Sequence, residues 1–235
     1  GRTVWVGGNI GQPLLDRIPE MTASDLAVVE LSSFQLMDMT HSPKVAVVTN
    51  LAPNHLDVHK DMAEYIHAKE QIYLHQRPGD RLVLNYDNEI TRRFAEKAVG
   101  QVIYFSRQGQ PSGGVWLEGD TIYAQGRAVM TRQDILLPGI HNVENYMAAI
   151  CAVAGYASDE DIRAVARSFG GVEHRIELVR ELQGVRYYND SIASSPTRTM
   201  AGLHSFDQQV ILIAGGYDKH ISFAPLGPEI VQHVK

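Results

Sequence analysis

Three stretches of the chain carry side chains able to hold a cation or a phosphate. They are Gly7-Gly8-Asn9-Ile10-Gly11, Glu30 with Ser32-Ser33, and Asn50 followed by Asn54-His55-Leu56-Asp57. Each closes a short apolar run, at 3–6, 25–31 and 45–50. If those runs are strands of an open parallel sheet, their carboxyl ends share one edge, where ligands bind. That edge then offers an amide, a carboxylate and an imidazole. Oxygen and nitrogen donors without sulfur suit Mg²⁺ or Mn²⁺ better than a structural zinc. The glycine turn lacks the full dinucleotide fingerprint and by itself is equally a plain strand-to-helix turn. His55, Asp57 and His59 alternate, but no His-Glu-x-x-His is present, so zinc-protease chemistry has no support. One of the three is expected to act and the others to be solvated loop residues.

Lys69 is the most informative single residue. On a helix, Met62, Ile66, Lys69 and Tyr73 share a face, and that face is expected to be the buried one. A lysine there either snorkels its amine to the edge or is held for function. Partial burial lowers a lysine pKa and supplies a neutral amine. Further on, Asn142 and Asn145 lie three apart in the first turn of a helix. Their carboxamides either read a purine edge or cap the helix. Arg175, the Asn189-Asp190-Ser191 strand end, Ser194-Ser195 before Pro196, and Lys219 make an anion-binding set or a collection of caps and surface charges.

The elements that must position these groups read as alternating strands and helices. Further strands are expected at 81–85 and 102–106, and helices at 62–75 and 88–99. After Ser106 the rhythm changes. Short runs at 115–117, 121–124 and 128–130, separated by Glu118-Gly119-Asp120 and Gln125-Gly126-Arg127, predict an antiparallel meander. Helices follow from 141 to 154 and 159 to 168. Gly170-Gly171 is the candidate linker, dividing 1–171 from 172–235. Beyond it, Gln183-Gly184 signals a hairpin, Pro196 opens a helix, 209–214 reads as a buried strand, and 229–234 looks helical.

The whole chain bounds what these groups can serve. It has 235 residues, enough for one to two domains. A net charge of −6, from 21 basic and 27 acidic residues, excludes a general nucleic-acid binder and a polybasic membrane anchor. The longest apolar run, 147–154, is far short of the ~20 residues that span a bilayer. The single cysteine, Cys151, lies among small apolar residues and is expected to be a buried structural thiol in a reducing, cytoplasmic setting. The start at Gly1 and the stop inside a helical pattern read as an internal piece of a longer protein.

These residues carry a resemblance. Glu30-Leu31-Ser32-Ser33-Phe34-Gln35-Leu36, Asn50-Leu51 with Asn54-His55-Leu56-Asp57, and Ala68-Lys69 resemble the central domain of the Mur ligases. Gly7-Gly8-Asn9-Ile10-Gly11, Gly139-Ile140-His141-Asn142-Val143-Glu144-Asn145, Glu173-His174-Arg175 and Tyr188-Asn189-Asp190-Ser191 continue it in the family's order. The resemblance implies an α/β fold: a mostly parallel sheet flanked by helices, with an antiparallel meander. Part of a second, Rossmann-like α/β domain would follow.

It also implies an ATP-dependent ligase of peptidoglycan precursor synthesis. D-glutamate would be joined to UDP-N-acetylmuramoyl-L-alanine through an acyl phosphate, with two Mg²⁺ ions, by a cytoplasmic monomer that neither enters membranes nor binds nucleic acid. Glu30 and His55 would bind metal, together with Lys69 carbamylated by CO₂; this role reverses the snorkelling reading of Lys69. Asn9 would lie near the muramoyl substrate. Asn142, Asn145, Arg175 and Asp190 would contact ATP, and Ser194 and Lys219 would hold D-glutamate. Two positions depart from the pattern: Ile192 stands where some members carry lysine, and Ser194 where they carry threonine. The family's Gly-x-x-Gly-Lys-Thr phosphate loop is expected upstream of Gly1, so this piece alone is expected to be inactive. The alternatives are another Mur-type or folylpolyglutamate-type amide ligase, and a non-catalytic nucleotide-binding module.

Overall fold

Apolar β-branched runs closed by glycine or polar residues form the strands, as their composition demands. The computed structural model describes residues 2–53, 58–216 and 222–235. His55 and Lys219 therefore lie outside the described residues, as do Asn54, Leu56 and Asp57. The chain folds as two compact units, one of residues up to Leu84 with Asn88–Val102, the other of Asn85–Asp87 with Ile103–Lys235.

In the first unit β1 (Val4–Gly8) pairs in parallel with β2 (Leu26–Glu30), in a register that sets Gly8 opposite Glu30. α1 (Ser33–Leu36) follows directly. β3 (Val45–Val48) pairs in parallel with β4 (Arg81–Asn85), and α2 (Met62–Leu74) connects them. This is the strand–helix–strand crossover expected of a parallel pair. Asp61 caps α2, its carboxylate accepting from the Glu64 amide at 2.9 Å. The predicted helix at 88–99 is shorter: α3 (Glu89–Arg93) tightens into a 3₁₀ turn, Phe94–Lys97.

Burial corrects two expectations here. The 25–31 run is a strand, but Val28 and Val29 are exposed, because β2 belongs to a two-stranded sheet. β4 is the strand that is buried through Leu82, Val83 and Leu84. On α2 the buried side chains are Tyr65, Ala68, Glu70 and Tyr73, whereas Met62, Ile66 and Lys69 are half-buried. The buried face is rotated from the expected one, and Lys69 lies on its flank.

β5 (Gln101–Ser106) enters the second unit at Ile103 and there pairs in parallel, through Phe105 and Ser106, with β6 (Val115–Glu118). β7 (Thr121–Ala124) and β8 (Arg127–Thr131) complete the predicted antiparallel meander. Gln125 and Gly126 both take positive φ, 51° and 84°, as a tight two-residue hairpin turn requires. α4 (Ile140–Val153) buries Val143, Met147, Ala148, Ile150 and Cys151. α5 (Asp159–Ser168) is closed by a Ser158–Asp161 capping box. Then come the hairpin β9 (Glu177–Leu182) and β10 (Val185–Asn189), α6 (Pro196–Leu203) and α7 (Leu226–His233). Parallel pairs alternating with helices, then a meander, make this an α/β fold.

The expected buried strand at 209–214 does not form. Val210 makes an isolated bridge to Val234, and Ile211 and Ile213 are 79% and 95% exposed. An apolar run becomes a strand only when a neighbour takes its backbone hydrogen bonds, and none of the described strands does so. Among the described residues no helix is long and apolar enough to cross a membrane.

Candidate functional site

The first cluster is built at the carboxyl ends of β1 and β2. Parallel pairing in register places Asn9 beside Glu30. The Asn9 amide donates to the Glu30 carbonyl at 2.8 Å, and Asn9 Nδ2 donates to Glu30 Oε1 at 3.1 Å. Gly8 allows this approach: its φ is 105°, and a Cβ there would stand 2.2 Å from the Glu30 carbonyl oxygen.

The chain then turns into α1 through a capping box. Ser32 Oγ accepts from the Gln35 amide at 3.2 Å, while Gln35 Oε1 accepts from the Ser32 amide at 2.9 Å. Leu31 sits between Glu30 and this cap, and its carbonyl accepts from Lys69 Nζ at 3.4 Å. Burial pushes the Lys69 pKa down, and the Glu30 carboxylate opposes that shift.

His59 holds α1 against α2. Its Nε2 lies 2.9 Å from Ser33 Oγ, and its Nδ1 lies 3.5 Å from Glu64 Oε2. The Phe34 ring stacks on it at 5.2 Å and 3°. His59 is 3% exposed, so it is a packing residue and not a solvated loop residue. Sequence spacing drew attention to His59 as an alternating ligand. Its contact with Ser33, 26 residues earlier, is not written in that spacing.

The second cluster lies wholly in the second unit. A cavity of about 330 Å³ is walled by Leu137, Pro138, Phe169 and Val172, with Asn142, Asn145 and Arg175 in its lining. Asn142 Nδ2 donates to the Pro138 carbonyl at 2.7 Å, and Asn145 Nδ2 donates to Asn142 Oδ1 at 3.3 Å. Neither carboxamide caps α4, whose N-cap is Gly139 at φ 94°. Both amides thus sit in an apolar cleft with acceptor and donor capacity left over. Tyr146 also lines it, with a buried hydroxyl that has no hydrogen-bond partner.

Asp190 links this cavity to the loop that carries Arg175. Its Oδ1 accepts from the Ile176 amide at 3.1 Å, and Ile176 holds a left-handed φ of 45°. A β-branched residue there is strained, and the carboxylate is one of the groups that hold it. Burial raises the Asp190 pKa; the Ile176 amide, Arg175 and His141 pull it back. His141 shifts the other way, lowered by burial and then by Arg175. His141 and Tyr146 are not among the candidate residues named from the sequence, although His141 lies inside the Gly139–Asn145 motif. Ser194 is exposed just before α6, its amide donating to the Ile192 carbonyl at 2.9 Å.

The Mur ligase middle domain family matches residues 8–153. The chain belongs to that family. Among curated proteins similar to this Mur ligase chain is the UDP-N-acetylmuramoylalanine–D-glutamate ligase of Acetivibrio thermocellus. It is 56% identical over 239 aligned positions, covering 100% of the chain and 51% of the relative. The protein of the same name from Clostridium novyi is also 56% identical, covering 97% and 50%. The chain thus spans about half the length of the curated relatives it matches. Among solved structures, a MurF from Acinetobacter baumannii superposes with a TM-score of 0.62 at 19% identity, covering 89% of this chain and 55% of that one. A UDP-N-acetylmuramoyl-L-alanyl-D-glutamate–2,6-diaminopimelate ligase gives 0.60 at 17%, covering 99% and 60%. At such identity these two establish the Mur ligase fold alone.

Proposed function

We propose that this chain is the catalytic middle of an ATP-dependent ligase that joins D-glutamate to UDP-N-acetylmuramoyl-L-alanine in peptidoglycan precursor synthesis. The observation that carries the reading is Lys69: half-buried, its pKa pushed down, and held beside Glu30 at the end of β2. The names of the relatives at 56% identity support the substrate pair.

The donor set tests the fit to Mg²⁺. Glu30 and Asn9 offer oxygens, but a Lys69 ammonium would repel a dication. The site fits once Lys69 is neutral and has added CO₂, which turns it into an anion with two further oxygens. Glu30, His55 and carbamylated Lys69 would then hold two Mg²⁺ ions, which neutralise phosphate charge when bound. Asn9 orients the muramoyl substrate. Asn142 and Asn145 face the adenine in the apolar cavity, with Arg175 and Asp190 at the ATP edge. Ser194 and Lys219 take D-glutamate. The proposed domain boundary at 171/172 falls inside the second compact unit, and residues 172–235 would supply Arg175 and Asp190 to ATP as well as the D-glutamate contacts.

The chemistry is phosphoryl transfer followed by amide formation. The alanyl carboxylate attacks the ATP γ-phosphorus, giving an acyl phosphate and ADP. The D-glutamate amine attacks the acyl carbon, and phosphate leaves from the tetrahedral intermediate with loss of the amine proton. The enzyme acts as a cytoplasmic monomer.

The test is phosphate release by the full-length protein with UDP-N-acetylmuramoyl-L-alanine, ATP and Mg²⁺. Turnover is expected with D-glutamate and not L-glutamate. Lys69→Ala is expected to lose it and to regain part with added short carboxylates. Full activity of Lys69→Ala without supplement rejects the carbamate, and turnover with neither glutamate rejects the substrate assignment.

A further inference from the structure

We infer that His204, Glu229 and His233 form a second, separate metal site, one for Zn²⁺ or a borderline divalent ion of like chemistry. His204 is the C-cap of α6, and Glu229 and His233 lie four apart on α7, so they share one helix face. Among the described residues they are the group of three whose ligand atoms all lie within 4.8 Å of one another.

Both imidazoles aim the same atom at one oxygen. His204 Nε2 is 2.5 Å and His233 Nε2 is 3.5 Å from Glu229 Oε2, with the two rings 4.9 Å apart. The backbone of His233 is pinned, its carbonyl accepting from the Val210 amide at 2.9 Å. Two imidazole nitrogens and one carboxylate oxygen, without sulfur, match zinc in a site with three protein ligands. The same set ranks Mg²⁺ poorly, since that ion prefers all-oxygen surroundings. His204 is half exposed while Glu229 and His233 are mostly covered, with side-chain exposures of 51%, 26% and 22%. The site is therefore open on one side, leaving a coordination position for water or a small anion. An ion there would cross-link α6 to α7. The site lies in the second unit, and Glu30 and Lys69 lie in the first.

The test is calorimetric titration of this chain with Zn²⁺, and with Mg²⁺ as the contrast, alongside thermal melting. One Zn²⁺ per chain is expected, raising the melting temperature and binding more weakly as pH falls, because the imidazoles must be neutral. Mg²⁺ is expected to show no such binding at these residues. Removing an outer-shell partner already costs roughly 10–100-fold in metal affinity, so His233→Gln and Glu229→Gln are expected to weaken Zn²⁺ at least that much. His204→Gln, at a half-exposed position, gives the same result without risk to the fold. His67→Gln and His75→Gln, at exposed histidines of the first unit, are expected to keep wild-type Zn²⁺ affinity. Unchanged affinity in His204→Gln overturns the site. So does loss of Zn²⁺ binding in His67→Gln or His75→Gln, which would place the ion in the first unit.

Discussion

Lys69 Nζ reaches the Leu31 carbonyl at 3.4 Å, one residue past Glu30, whose carboxylate is the group that holds the Lys69 pKa up against burial. The two influences act in opposite directions on one amine. Glu30→Gln removes the upward pull, so the Lys69 pKa is expected to fall further below its ordinary 10.5. More neutral amine then reacts with CO₂ at a given pH. With ¹³C-bicarbonate and no added divalent metal, the carbamate signal is expected to be larger in Glu30→Gln than in wild type and absent in Lys69→Ala. A smaller signal in Glu30→Gln would show that the carboxylate assists the modification.

Gly8→Ala tests how the strand ends are held. The new Cβ would meet the Glu30 carbonyl at 2.2 Å, in a backbone conformation of φ 105° that side chains rarely adopt. The chain can relieve this only by parting β1 from β2. A loss of roughly 1–3 kcal/mol is expected in the first unit. In a Trp116→Phe background, urea unfolding followed by Trp5 fluorescence reports on that unit. A midpoint equal to the parent's would mean that the Asn9–Glu30 contact tolerates a wider gap.

Much of this arrangement was legible beforehand, for identifiable reasons. Strand ends are marked by glycine or by a polar residue after a β-branched run, so Asn9 and Glu30 could be placed on one edge. The turn residues Gln125-Gly126 and Gln183-Gly184 announced their hairpins. Burial was harder to read, because it depends on neighbours distant in sequence. The 209–214 run has the composition of a core strand yet stands exposed, and α2 buries a face rotated from the one that contains Lys69. The Ser33–His59 contact joins residues 26 apart, and the Asp190 link to Ile176 depends on a left-handed backbone that no periodicity reveals.

The opposite shifts of His141 and Asp190 set two pH windows in the second unit. His141 is lowered from 6.5, so the unfolded chain binds more protons and stability is lost as pH falls from 6.5 through the folded value. Asp190 is raised from 3.8, so its contribution is present below 3.8 and lost as pH rises through its folded value. In a Trp5→Phe background, Trp116 fluorescence follows this unit. His141→Gln is expected to remove the acid-side loss below pH 6.5, and Asp190→Asn the decline above 3.8, each as a difference from the parent curve. Parallel curves for His141→Gln and its parent would place the His141 ring in water.

Tyr146 offers the sharpest test of the cavity, because it lines the cleft that holds two carboxamides and its hydroxyl is buried without a hydrogen-bond partner. A buried unpaired hydroxyl costs about 1–3 kcal/mol, so Tyr146→Phe is expected to stabilise the ligand-free chain by part of that amount. If the adenine or its ribose supplies the missing partner, the same substitution must weaken nucleotide binding. Asn145→Ala leaves Asn142 Oδ1 without its 3.3 Å donor and is expected to weaken binding roughly tenfold, through about one hydrogen bond. Saturation-transfer NMR with AMP and GMP reads both effects. AMP is expected to give the stronger signal in wild type, and the preference is expected to shrink in Asn145→Ala and Asn142→Ala. Stabilisation by Tyr146→Phe with unchanged AMP binding would separate the hydroxyl from the nucleotide. An AMP signal indifferent to all three substitutions would place the base elsewhere.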